Sequence, residues 1–98
     1  MTINKSVTGT TLTVEVEGRL DTMTAPELER VLKDSLQGIT ELIFDFDALA
    51  YVSSAGLRVL LSAQKIMNKQ GSMVIRNVCE MVMEVFEVTG FSDILTVE

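Results

Sequence analysis

Few side chains in this sequence could do chemistry, and two of them are adjacent. They are Ser53 and Ser54, within Tyr51-Val52-Ser53-Ser54-Ala55-Gly56-Leu57-Arg58. A serine hydroxyl can act as a nucleophile, accept a phosphoryl group, or cap a helix. A nucleophile needs a base within reach. The chain has no histidine, so only a lysine or a carboxylate could serve. Lys65 and Lys69 follow at a helical spacing that turns them away from the apolar stripe. Asp21 and Asp45 could pair as carboxylates, but they are far apart in sequence and no pattern makes them meet. The Gly-x-Ser-x-Gly elbow, the Gly-x-x-x-x-Gly-Lys phosphate loop and the Gly-x-Gly-x-x-Gly fingerprint are all absent. Cys79 is the only cysteine; it reads as a small buried hydrophobe, and Met81 and Met83 read as core filler rather than soft metal ligands. Every catalytic constellation is incomplete, so the chain reads as a binding module rather than an enzyme, with neither cofactor nor metal.

The elements around the two serines follow from hydrophobic periodicity. Leu42-Ile43-Phe44-Asp45-Phe46 is apolar on both faces and predicts a buried, central strand. After the serines, Gly56, Val59, Leu60, Ala63, Ile66 and Met67 form one helical stripe, predicting a helix over about 54 to 69 that ends at Gly71. A serine then falls at the helix start, where its oxygen can accept a bond from a free N–H of the first turn. Leu57 and Leu61 lie at the edge of the stripe, one turn apart, and predict a small half-exposed apolar patch beside Ser54. Arg58, Lys65 and Lys69 group on the opposite, solvated side.

Upstream, Ile3, Lys5 and Val7, a Thr8-Gly9-Thr10 turn, and Leu12, Val14 and Val16 alternate with polar residues. Period two predicts a half-buried antiparallel hairpin. Gly18-Arg19-Leu20-Asp21-Thr22 leaves the strand. Thr24-Ala25-Pro26-Glu27 has the form of a capping box with proline in the first turn, opening a helix over about 24 to 37. Downstream, Met73-Val74-Ile75 is a short strand. Asn77-Val78-Cys79-Glu80 predicts a helix capped by Asn77 and closed by Thr89-Gly90. Phe91 to Leu95 then predicts a last turn before a short tail. The order β-β-α-β-α-β-α makes an α/β chain. Its sheet should be mixed and mostly parallel, with an antiparallel edge and helices mainly on one side.

Composition limits the partners. Eight basic against fourteen acidic residues leave a net charge of -6. Nucleic acid phosphates and acidic membrane surfaces would repel such a chain, and five aromatic side chains offer little base-stacking surface. Partners with basic patches fit better. No apolar run approaches the roughly 18 residues of a membrane span. One cysteine suits a reducing cytosol, so a cytoplasmic protein is expected.

Tyr51-Val52-Ser53-Ser54-Ala55-Gly56-Leu57 after Phe44-Asp45-Phe46-Asp47 resembles the signature of the sulphate transporter and anti-sigma factor antagonist (STAS) domain family. Gly18-Arg19-Leu20-Asp21-Thr22 with Thr24-Ala25-Pro26-Glu27-Leu28 resembles that family's other recurring segment. The resemblance implies a single STAS domain over 1–98. It implies an anti-sigma factor antagonist that binds an anti-sigma factor serine kinase, frees a sigma factor, and is switched off by phosphorylation. The phosphoacceptor it implies is the serine two before the motif glycine, Ser54. Many members have aspartate just before that serine; here the place is taken by Ser53, a rival acceptor. Where many have a second serine, this chain has Ala55. The expected partner-binding residues are Asp21, Thr22, Asp45, Ser53, Ser54, Ala55 and Gly56, together with Leu57 and Leu61 of the apolar patch. The phosphatase is left open. The alternative implied by the same family is a subunit that regulates or assembles with a membrane transporter complex.

Overall fold

The computed structural model describes residues 1–98. The chain order is β1 (Thr2–Thr8), β2 (Thr11–Leu20), α1 (Ala25–Ser35), β3 (Glu41–Asp45), β4 (Leu49–Val52), α2 (Ser54–Gln70), β5 (Ser72–Arg76) and α3 (Glu80–Thr89), then a 3-10 turn at Phe91–Asp93. β1 and β2 are antiparallel; β2, β3 and β5 run parallel side by side, and β4 is parallel to β2. The expected mixed, mostly parallel sheet is therefore present.

Alternation sets the layers. Leu12, Val14 and Val16 of β2 lie level with Leu42 and Phe44 of β3 and Met73 and Ile75 of β5, all buried. The three helices bury Leu28 and Leu32, Leu60 and Met67, and Val82 and Phe86 in that same core. On the other face Thr13, Ile43 and Val74 form a half-exposed row. One face of the sheet thus carries the helices and the other meets solvent.

Several local expectations are corrected. β2 does not end at Gly18. Gly18 takes φ +97, the register shifts there, and the strand runs on to Leu20 along a new partner. That partner, β4, was not expected as a strand; at four residues it is too short to show a period. The capping box of α1 does not form. The Thr24 hydroxyl accepts from the Asp21 N–H at 2.8 Å and donates to the Arg19 carbonyl at 2.7 Å, so it serves the incoming loop instead. α3 has Cys79, not Asn77, at its N-cap; Asn77 adopts φ +60 two residues earlier. Ile66 is 39% exposed, and Gln64 takes a buried position instead. The tail is not free: Val97 bridges Ile75, and Glu98 pairs with Arg76 at 2.8 Å.

Candidate functional site

β4 delivers the serines to the end of β2. The Ser53 N–H donates to the Leu20 carbonyl at 2.8 Å, joining the two strand ends. Ser53 is extended, with φ -100 and ψ 177, and occupies the N-cap of α2. Its Oγ accepts from the Gly56 N–H at 3.5 Å, and its carbonyl accepts from the Leu57 N–H at 2.9 Å. The capping role open to either serine thus belongs to Ser53. Ser54 is the first residue of the helix; it is exposed, and its hydroxyl makes no hydrogen bond within the chain. One serine is structural and the other is uncommitted.

Gly56 is buried, and its identity has a steric reason. A Cβ there would stand 2.7 Å from Leu20 Cγ and 2.9 Å from the Leu20 carbonyl and from Val52 Cγ2. Only glycine lets the first turn of α2 settle on the ends of β2 and β4. Leu57 is also buried, at 4% exposure, so the expected half-exposed pair reduces to Leu61 alone.

Asp21 follows Leu20 directly and so sits beside the joined strand ends. Its Oδ1 accepts from the Met23 N–H at 3.0 Å, the Thr24 N–H at 3.2 Å and the Thr24 hydroxyl at 3.2 Å. Arg19 Nε lies 3.8 Å from Oδ2. Desolvation raises the carboxyl pKa. The bonds from Thr24 and Met23, with the Arg19 charge, outweigh it and hold the group below its ordinary value. A carboxylate held ionised in this way is a poor general base. Arg19 also stands over the Tyr51 ring, 4.3 Å from its centroid. Thr22 shares a groove between α1 and α2 with Pro26, Ala55 and Arg58. Asp21, Thr22, Ser53, Ser54, Ala55 and Gly56 therefore meet at one end of the molecule, with Leu57 beneath and Leu61 one turn along.

Asp45 does not join them. It stands level with Glu15 of β2, whereas Val52 stands level with Leu20. Five residues of strand separate those levels, about 15 Å at the usual rise per residue. The Asp45 carboxylate instead accepts from the Asp47 N–H at 3.0 Å and from the Asn77 amide at 3.1 Å. It ties the β3–β4 turn to the β5–α3 loop.

Sequence reasoning missed Arg19, Tyr51 and Arg58 as neighbours of the serines. Arg19 and Tyr51 face each other only because β4 pairs with β2, and no local pattern announced β4. Nothing in the fold gathers three or more carboxylate, thiol or imidazole ligands where they could hold a metal ion.

The arrangement is one of presentation rather than catalysis: an exposed hydroxyl on a helix start, beside an ionised carboxylate and above a groove. The STAS domain family model matches residues 2–98. This chain belongs to the STAS domain family. The anti-sigma-B factor antagonist of Staphylococcus aureus (strain NCTC 8325 / PS 47) is 33% identical over 86 residues, covering 86% of this STAS domain and 80% of that protein. Among solved structures, an anti-sigma factor antagonist from Mycobacterium paratuberculosis superposes with a TM-score of 0.88 at 21% identity, covering 98% of this chain and 83% of that one. The anti-sigma factor antagonist SpoIIAA in its unphosphorylated form gives 0.78 at 18% identity, over 99% and 87% of the two chains. The Bacillus cell fate determinant SpoIIAA in its phosphorylated form gives 0.76 at 18% identity, over 99% and 91%. Those structures share the fold of this STAS domain. The relatives' names describe regulators rather than enzymes. No helix of this domain is long and apolar enough to cross a membrane.

Proposed function

We propose that this STAS domain is a cytoplasmic anti-sigma factor antagonist. It binds an anti-sigma factor serine kinase through the Ser54 end, frees the sigma factor, and is switched off when the kinase phosphorylates Ser54. The observation that carries the reading is the division of labour between the serines. Ser53 is spent on the helix cap, and Ser54 is exposed at the first helical position with a free hydroxyl. Relatives named as antagonists, and a fold shared with a protein solved both with and without phosphate, support it.

The physics suits a switch. A phosphoserine carries roughly -1.5 to -2 charges near neutral pH. At the first turn of α2 that charge meets free N–H groups and the positive end of the helix dipole, so the fold tolerates it. The partner instead meets new bulk, charge and bound water beside Asp21. A surface fitted to neutral Ser54 then separates.

Incubation with the cognate kinase and ATP, followed by peptide mapping, tests the reading. Phosphate on Ser54 is expected, and Ser54→Ala should bind the kinase without being modified. Phosphate on Ser53 alone would move the acceptor by one residue and require the cap to open. A bound kinase that modifies neither serine would end the phospho-switch reading and leave a constitutive binding module, such as a transporter subunit.

A further inference from the structure

Acidic charge is unevenly distributed along the chain. All eight basic residues lie at or before Arg76. Beyond it stand five acids and no base: Glu80, Glu84, Glu87, Asp93 and Glu98. The first three recur along α3 at i, i+4 and i+7, and none of them is in an ion pair. Beside that stripe, about 100° around the helix, Met81, Val85 and Val88 recur at the same spacing. Val82 and Phe86 point into the core and Val85 packs against it half-buried, so Met81 and Val88 are the members of this second stripe that folding leaves exposed. Met81 is 60% exposed and Val88 81%.

The stripe borders a groove. Met81, Val85 and Val88 line one shallow depression. Met81 also lines another with Ala48, Leu49, Ala50 and Cys79. The two share Met81, so a largely apolar track edged by Asp47, Glu80 and Glu84 leads from β4 to α3. Apolar side chains exposed in a row, rimmed by one sign of charge, mark an interaction surface. We propose that this track docks a basic amphipathic helix of a partner protein, with apolar residues in the groove and Lys or Arg side chains over Glu80, Glu84 and Glu87. A second copy of this chain fits worse, because packing through the same face sets acid against acid. Methionine at the junction lets the groove adapt its shape. The surface shares no residue with the Ser54 cluster, so docking is independent of the state of Ser54.

The test titrates the isotopically labelled full chain with a helical peptide of about 15 Leu and Lys residues, and with its Leu and Glu counterpart. The Lys peptide is expected to shift amides of Ala48 to Ala50 and Cys79 to Thr89, and to bind more weakly as salt screens the charges. The Glu peptide should leave the spectrum unchanged. Met81→Lys with Val88→Lys should weaken binding by about tenfold or more without moving the thermal midpoint, since both side chains are exposed. If that double variant unfolds, Val88→Lys alone carries the same test. Ser54→Asp should leave this affinity within about twofold. Shifts scattered over every acidic patch, or undiminished binding by a folded variant, would overturn the proposal. A concentration-dependent dimer abolished by Val88→Lys would also overturn it, by giving the face to a second copy.

Discussion

Asp21 and Asp45 are local twins with different neighbours. Each is half-buried at the end of a strand, and each accepts from the N–H two residues on, Met23 or Asp47, at 3.0 Å. The short polar side chain of aspartate makes that turn wherever a strand must stop. Asp21 follows the residue whose carbonyl holds Ser53, so its backbone adjoins the strand end that carries the phosphoacceptor candidate. Asp45 ends a strand that stops five residues lower in the sheet, and its remaining bond goes to Asn77. One motif thus has two settings, and sheet register alone assigns them.

The largest effect should come from adding a charge at the Asp21 end. Ser54→Asp is expected to fold normally and to weaken binding of the cognate anti-sigma factor by about a hundredfold, read by calorimetry. An unchanged affinity would remove the Ser54 end from the interface and erase the distinction between the two aspartates.

Gly56→Ala probes how that end is held together. The new methyl must displace Leu20 and Val52, at a cost of about 1–3 kcal/mol in denaturant unfolding. A neutral result would mean that the joined ends of β2 and β4 are looser than their hydrogen bonds indicate.

Removing the charge from each aspartate sharpens the comparison directly. Asp21→Asn should weaken partner binding about tenfold, and Asp45→Asn by less than about twofold. Both should lose some stability, because both close turns. Equal losses of binding would show that the partner reaches Asp45 as well.

The smallest effect is the pH dependence that Asp21 contributes. Its folded pKa lies below the unfolded value, so its stabilising contribution is present above the ordinary carboxylate range and disappears as pH falls through the folded value. The stability difference between wild type and Asp21→Asn should therefore shrink on acidification below about pH 3.9. A difference that grows there would reverse the sign assigned to the turn.

The long elements were legible because their signal repeats. Leu12, Val14 and Val16, or Val59, Leu60, Ala63 and Met67, each state a period several times over, and burial follows it. Leu57, Ile66 and Gln64 broke the wheel reading. All three lie at the edge of the α2 stripe, where burial depends on which neighbouring element happens to be there.

The sequence by itself determined the long elements and their order, most of the face each buries, and that a serine begins α2, but not β4. Those depend on local sterics and on apolar periodicity, which act along the chain, whereas the family was legible in the motifs at Tyr51 to Leu57 and Gly18 to Leu28. Tertiary structure decided which serine caps and which is free, because the Ser53 N–H must reach the Leu20 carbonyl on another strand. It also decided that Asp21, Arg19 and Tyr51 surround the site and that Asp45 does not. These facts depend on the register between β2 and β4, fixed by a shift at Gly18 and by Gly56 packing on Leu20. A four-residue strand carries too few alternations to announce its partner, and register is a property of pairs of strands that neither strand states alone.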